Sequence, residues 1–293
     1  MLSLVASGAI AAATLAASPN PARPASGSPP DAAPWPLRQL PVTAGGAGKP
    51  TVLLTAFGGK ADGVTDNSAA FAKALAHLAT TGGGTLVVPK QPADEESVYL
   101  TLPIRITVSS LTLVIEAGVR VLAKCDTVLT KPGDWPTVAA WANGSAPPAP
   151  TPRHPPSRLI PRAAAVDGTS AAYAPFVHAI NVTDLIITGG GTIDGNGSWF
   201  YKHNWCGGGH CGGKLPHTRP RLAVIEGSQR VHLSNFTTNT SGFWNLVLLE
   251  TDDVHISGIR VRNPSGGKGE CGDPSLGPDE CYGPNADGIT QRF

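Results

Sequence analysis

The chain has few charged residues and no excess of either sign. Lys and Arg total 22, Asp and Glu total 21, and charged residues make up 15% of its 293 positions. Nucleic acids and acidic membranes attract strongly basic surfaces, and a net charge of +1 indicates none for the chain as a whole. The composition therefore predicts neither a nucleic-acid partner nor a membrane partner.

Long apolar runs are also scarce. The run at the N-terminus covers residues 1–17, which is too short to span a bilayer comfortably, and no other segment is apolar enough to do so. Small residues at Thr14, Ala16 and Ser18 match the small-x-small pattern of signal-peptide cleavage. We interpret residues 1–18 as a secretory signal peptide, with a disordered Ala-rich start or a misassigned first exon as the alternatives.

Potential N-glycosylation sites are numerous. The chain contains five Asn-x-Ser/Thr acceptors, which are Asn143, Asn181, Asn196, Asn235 and Asn239. A single acceptor often arises by chance, so the argument rests on their number. Together with the signal-like start, they indicate a protein secreted by a eukaryotic host.

Cysteines are few and odd in number. In a secreted protein the simplest pairing joins Cys206 to Cys211 and Cys271 to Cys281, because each disulfide then closes a Gly-rich loop. This pairing leaves Cys125 as a buried free thiol or as a residue whose partner is missing.

Zinc is the alternative role for one of these groups. Cys206, His210, Cys211 and His217 are clustered in the sequence. Their spacing is not a standard zinc pattern, and thiolate zinc sites are mainly intracellular. We therefore expect disulfides here and no metal.

Glycine and proline are abundant, at 35 and 28 residues. Both disrupt helix interiors, so this composition favours a turn-rich β protein. Residues 19–48 are Pro, Ala, Gly and Ser with little periodicity and predict a disordered linker. Residues 126–174 form a second Pro-rich stretch, which we interpret as an irregular insertion into a domain covering residues 49–293.

The second half of the ordered region contains an internal repeat. The runs 180–189, 225–234 and 248–257 resemble one another, and Val231 to Val254 is a step of 23 residues. A period of this length with short strands and no helix is typical of a solenoid, and the leucine-rich pattern is absent. We therefore predict an all-β fold, a right-handed parallel β-helix.

Two internal columns follow from the repeat. We expect one column of Leu185, Val231 and Val254, and a second of Ile187, Leu233 and Ile256. A helix predicted from Ser68 to about Ala79, with Asp66-Asn67 as its cap, is expected to cover the N-terminal end of the solenoid.

Several segments resemble a known family. The run Gly189-Gly190-Gly191-Thr192-Ile193-Asp194-Gly195-Asn196-Gly197, the run Arg219-Pro220-Arg221 and the run Asn285-Ala286-Asp287-Gly288-Ile289 are similar to motifs of the polygalacturonases, family 28 of the glycoside hydrolases. The opening around Phe57–Asn67 resembles that of the wider pectin-lyase-like superfamily. The resemblance implies a metal-free, cofactor-free enzyme that hydrolyses pectin-like chains with inversion and is a monomer at full length.

The resemblance also implies site residues. Asp287 matches one of three catalytic acids of the family. Asn285 lies in the same motif and is expected to bind substrate. Aligning the repeat turns places Arg221 and Trp244 in about the same column as Asp287, where an indole would stack on a sugar and a guanidinium would pair with a uronate. Core packing for Trp244 and a surface charge for Arg221 are the alternatives.

The remaining family motifs are absent. The Asp-Asp pair, the Gly-His-Gly segment and the Arg-x-Lys segment should follow Asp287, and Asp252-Asp253 precedes it on a repeat turn that we expect to be solvated. Inverting hydrolysis needs an acid and a base. We therefore expect an incomplete chain with little or no activity on its own.

Two other classes remain open at this point. One is a non-catalytic β-helix that binds or scaffolds cell-wall polysaccharide, which the missing second acid favours. The other is a lyase of the same fold, which typically uses Ca²⁺ held by clustered carboxylates, and the sequence contains no such cluster.

Overall fold

The computed structural model describes residues 48–92, 95–124, 135–137, 172–197, 200, 217–263 and 286–292. The chain divides into two units, Met1–Val42 and Thr43–Phe293. The predicted signal peptide, nearly all of the predicted linker and most of the predicted insertion lie outside the described residues. Within them, no helix is long and apolar enough to cross a membrane.

The described part of the second unit is a right-handed parallel β-helix, as predicted. Its first sheet contains β1 (Thr51–Leu53), β2 (Gly84–Val88), β5 (Leu111–Ile115), β8 (Thr183–Thr188), β11 (Gln229–Ser234) and β14 (Asp252–Ser257). Its second contains β3 (Ser97–Thr101), β6 (Val119–Ala123), β9 (Thr192–Asp194), β12 (Thr237–Asn239) and β15 (Arg260–Arg262). Its third contains β4 (Ile104–Ile106), β7 (Val177–Ile180), β10 (Ala223–Glu226), β13 (Leu246–Leu249) and β16 (Ile289–Arg292). From β2 onward, the chain visits the three sheets in this order in every coil.

The register of the first sheet confirms the two predicted columns. Val231 pairs with Leu185 and Val254, and Leu233 pairs with Ile187 and Ile256. Alternate residues of a strand face the same side. The same alternation in each repeat therefore places apolar side chains of successive coils above one another. Leu185, Ile187, Val231 and Leu233 are at most 1% exposed.

The predicted helix is α1 (Ser68–Thr80), and its apolar stripe packs into the core. Its N-terminus is held by Asp66, whose carboxylate accepts bonds from the backbone N–H (2.9 Å) and hydroxyl of Ser68. Asn67 makes no capping bond. Its buried amide instead joins Lys60, Thr65 and Leu100 by accepting from one backbone N–H and donating to three carbonyls.

Three long connections between strands begin and end at the same corner of the solenoid. Residues 124–176, 195–222 and 263–288 each link a strand of the second sheet to the next strand of the third. The predicted insertion 126–174 falls within the first of them, and its Trp135 is 2% exposed, with Nε1 donating to the Ala174 carbonyl at 2.8 Å. All three therefore lead into the N-terminal ends of third-sheet strands.

Candidate active site

Arg221, Trp244 and Asp287 occupy equivalent positions on successive coils. Ala223, Leu246 and Ile289 are in register as the first residues of β10, β13 and β16. Each of the three candidates lies two residues before one of them. The column inferred from the repeat is confirmed, and we call these three residues the site column.

Hydrogen bonds between coils extend the third sheet through the site column. The Arg221 carbonyl accepts from the N–H of Phe176 at 2.9 Å, and the Trp244 carbonyl accepts from that of Leu222 at 2.9 Å. The Asp287 carbonyl accepts from the N–H of Asn245 at 2.8 Å. Neighbouring backbones in the column are thus held about one strand spacing apart, roughly 4.8 Å.

Arg221 is buried, at 7% exposure, so its interpretation as a surface charge is wrong. Its guanidinium carbon lies 4.9 Å from the ring centroid of Trp244 and 5.6 Å from that of Phe243. Arg219, 4% exposed, lies 5.0 Å from the Phe243 centroid and donates to the Gly242 carbonyl at 2.9 Å. Two guanidinium groups therefore flank a pair of aromatic rings and contribute cation–π attraction.

Trp244 serves in packing and remains partly exposed. Its ring is stacked on Phe243 with centroids 5.0 Å apart, and it contacts a buried cluster of Val224, Val247 and Leu249. The packing role considered for Trp244 is confirmed. Its half-buried state leaves part of the indole accessible for a second role.

Asp287 presents an exposed side chain on a restrained backbone. Its carboxylate makes no hydrogen bond to the part of the chain that the structure describes. A ligand can approach this carboxylate without displacing any described side chain.

Two asparagines that the sequence pattern does not reveal hold the Asp287 backbone. The Nδ2 of Asn245, a residue that is 0% exposed, donates to the carbonyls of Ala286 and Asp287 at 3.2 Å each. The Nδ2 of Asn263 donates to the Ala286 carbonyl at 3.1 Å. We call these two residues the asparagine clamp. No local pattern identifies them, because the bonded groups are 41, 42 and 23 residues apart.

The clamp also connects Asp287 to Trp244. The Asn263 Oδ1 accepts from the N–H of Ser241 at 3.2 Å, and the Ser241 hydroxyl donates to the Trp244 carbonyl at 3.0 Å. Asn263 and Ser241 thus connect the backbones of Ala286 and Trp244 through hydrogen bonds.

Other acids lie away from the site column. Asp252 and Asp253 begin β14 in the first sheet, and both are exposed, in agreement with a solvated position. Asp194 is buried in the second sheet and accepts from the N–H of Asn196 at 2.9 Å and from the Nδ2 of Asn239 at 2.8 Å. Burial raises the pKa of Asp194 despite these bonds. In the described part of the column, Asp287 is therefore the one carboxylate.

Several candidates lie outside the described residues. They are Asn285 and the four cysteines predicted to form disulfides, Cys206, Cys211, Cys271 and Cys281. Of the residues considered for zinc, His217 is described, and its ring packs edge-on against Tyr173 at 5.0 Å. In the described ranges, no three His, Cys, Asp or Glu side chains are grouped so as to hold a metal.

Known proteins resemble this chain in sequence and fold. Residues 163–291 match the model of glycosyl hydrolases family 28. A probable polygalacturonase of Vitis vinifera is 30% identical over 233 residues, which is 78% of this chain and 39% of the relative. A polygalacturonase of Juniperus ashei is 32% identical over 112 residues, or 34% of this chain and 21% of the relative. The chain thus spans about two fifths or less of the length of these relatives.

Solved structures agree on the fold. The exopolygalacturonase of Thermotoga maritima aligns with a TM-score of 0.50 at 22% identity, covering 72% of this chain and 46% of its own. The family 28 exopolygalacturonase of Yersinia enterocolitica aligns with a TM-score of 0.53 at 18% identity, covering 83% and 41%. The whole site column lies within the segment that matches the family. Residues 163–291 of this β-helix are therefore similar to family 28 of the glycosyl hydrolases.

Proposed function

We propose that this protein is a polysaccharide hydrolase of the polygalacturonase type, acting with inversion on pectin-like chains. The observation that carries the proposal is Asp287, an exposed carboxylate fixed by the asparagine clamp in one column with Arg221 and Trp244. The names of the relatives support the substrate class. Asp287 would act as one of the acids of the reaction.

Inversion requires a second carboxylate. One group protonates the leaving glycosidic oxygen while the other takes a proton from the attacking water, across a separation of roughly 6.5–9.5 Å. The described part of the site column supplies one carboxylate. We therefore propose that the 293-residue chain hydrolyses its substrate slowly at best.

Arg221 and Trp244 would form the sugar-binding side of the site. The accessible part of the indole offers an apolar surface to a sugar ring, worth about 0.5–1.5 kcal/mol beyond area burial if it behaves like an aromatic pair. The buried guanidinium behind it places a positive charge 4.9 Å from the ring centroid, and that charge favours an acidic polysaccharide over a neutral one.

The test combines binding with product release. We expect the protein to bind oligogalacturonate more tightly than a neutral oligosaccharide of equal length, and to release reducing ends slowly. Asp287→Asn should lower release to background while binding persists. Asp253→Asn, which removes an exposed acid from the first sheet, should change neither. Equal release by parent and Asp287→Asn would overturn the proposed role of Asp287.

Trp244 is tested by two replacements that keep an apolar side chain for packing. Trp244→Leu removes the aromatic surface and should weaken oligogalacturonate binding roughly 2- to 13-fold, whereas Trp244→Phe keeps a ring and should lose less. Isothermal titration calorimetry measures both, and circular dichroism checks that the β-helix is retained. Equal affinities of the Leu and Phe variants would contradict the stacking role.

A non-catalytic polysaccharide-binding protein is the second candidate. It is favoured by the single carboxylate in the described column. Under this alternative, oligogalacturonate binds but the parent releases no reducing ends above the blank, even after long incubation.

We further propose secretion to the extracellular space or the cell wall, and the described acceptor asparagines make this testable. Asn235 is exposed, whereas the Nδ2 of Asn239 donates to buried Asp194 and the Nδ2 of Asn196 donates to the Ala123 carbonyl at 3.2 Å. We expect a glycan at Asn235 and unmodified Asn239 and Asn196 when the natural protein is isolated. Peptide mass spectrometry after glycosidase treatment checks this, and an unmodified Asn235 would contradict it.

A further inference from the structure

Two histidines face each other on the outside of the first sheet. His232 of β11 and His255 of β14 are direct partners in the parallel register. Their ring centroids are 4.7 Å apart with an interplanar angle of 48°, and both side chains are partly exposed. They lie on a different sheet from the site column, so a role for this pair does not depend on the proposed function.

The separation of the rings suits a chelate. A transition metal lies about 2.0–2.1 Å from an imidazole nitrogen, which places it roughly 3.2 Å from the ring centre. Two rings on one metal at an angle of about 90–110° then have centres roughly 4.5–5.2 Å apart. The 4.7 Å separation falls in this range without any movement of the backbone. The spacing of neighbouring strands sets this separation, and the ladder therefore preorganises the two donors.

We propose that His232 and His255 form a two-histidine site for a divalent transition-metal ion of the copper, nickel or zinc class, with water completing its coordination. Imidazole is a good ligand for these ions, whereas Ca²⁺ and Mg²⁺ prefer oxygen. Bound metal would join two successive coils on the outer face of the solenoid. Because the metal binds the folded register and not two separated strands, it stabilises the fold.

Metal titration of the full chain tests the site. The parent protein should bind Cu²⁺ more tightly than Ni²⁺, and its unfolding temperature should rise with either ion. His232→Gln and His255→Gln should each weaken Cu²⁺ binding by roughly tenfold or more, since one of the two nitrogen ligands is lost. His77→Gln is the matched control, because it removes a histidine of α1 and should match the parent.

The chain has eight histidines, and the others can contribute background binding. Calorimetric stoichiometry separates this background, since each site variant should lose one Cu²⁺ equivalent that the His77→Gln variant keeps. Electron paramagnetic resonance of that equivalent should show two nitrogen ligands. Unfolding curves without metal verify that each variant is folded. If the folded site variants bind as many equivalents as the parent with equal affinity, or if the parent shows no such equivalent, the proposal is wrong.

Discussion

The asparagine clamp makes a sharp prediction about charge at one buried atom. Asn245 is 0% exposed, and its Nδ2 donates to two carbonyl oxygens at 3.2 Å each. In Asn245→Asp a carboxylate oxygen of the same size replaces the donor and faces both carbonyls. In Asn245→Ala the donor is lost without adding a charge.

The two substitutions should differ in magnitude. For Asn245→Ala, the carbonyl of Ala286 retains its bond from Asn263 and that of Asp287 retains its bond from the backbone N–H of residue 245. Two bonds worth about 0.5–1.5 kcal/mol each are lost, for a total of roughly 1–3 kcal/mol. The Asn245 Oδ1, which is buried without a partner among the described residues, is removed at the same time and offsets part of this. An unpaired buried carboxylate should cost more, about 3–5 kcal/mol.

The pH dependence identifies the cause. An aspartate at position 245 would have a folded pKa above its unfolded value, because burial disfavours its charged form. Its protonated form would thus give its full contribution to stability below the unfolded pKa, and this contribution is lost as the pH rises through the folded pKa. The deficit of Asn245→Asp relative to the parent should therefore grow from acidic to neutral pH, whereas that of Asn245→Ala should stay constant.

Urea unfolding at several pH values measures this, and hydrogen exchange in β16 reports the local effect. Asn263→Asp is the control for a smaller effect. Its carboxylate would face a single carbonyl and is less buried, so the loss of unfolding free energy should be smaller than for Asn245→Asp. If the Asp and Ala variants at position 245 lose the same stability at neutral pH, the charge argument is refuted and packing alone explains the site.

Three further outcomes are expected from urea unfolding. Asp194→Asn removes a carboxyl whose pKa is raised in the folded state, so its contribution to stability is complete below pH 3.8 and is lost as the pH rises. Above that pH the free energy of unfolding should therefore shift in favour of the variant relative to the parent. A difference that stays constant with pH would contradict this. Gly189→Ala should cost more than about 3 kcal/mol, because φ is +122° and a Cβ would lie 2.3 Å from the Ile115 carbonyl oxygen; a change under about 1 kcal/mol would refute it. Arg230→Gln breaks an exposed pair with Asp184 and should cost about 1 kcal/mol or less, with high salt removing the difference.

Much of the fold is predictable because the sequence repeats it. The alternation in 225–234 and 248–257 determines which side chains face inward, and parallel stacking then sets the register. The strand β3 (Ser97–Thr101) is not predicted, because four of its five residues are buried and it has no clear alternation. The sequence assigns the helix cap jointly to Asp66 and Asn67, and only Asp66 makes the capping bond, since the partners of Asn67 lie up to 33 residues away.

The candidate site is predictable in its spacing and not in its contacts. The repeat places Arg221, Trp244 and Asp287 in one column, which needs only the period of the coil. The burial of Arg221 follows from its aromatic neighbours, and an alignment of turns contains no information about them. The asparagine clamp depends on side chains from different coils, so only the three-dimensional arrangement reveals it.

The three long connections share one corner of the solenoid. The stacked coils that keep the fold stable and the segments that can vary for recognition are therefore different parts of the chain. Strand lengths and the distance between coils are constrained by stacking, so they cannot change without disturbing every neighbouring coil. Segment length between the second and third sheets carries no such constraint, because each segment leaves and re-enters at one corner. Descendants of this chain can therefore acquire new recognition surfaces by exchanging whole segments there, while the carboxylate at position 287 keeps its distance from the coil beneath it.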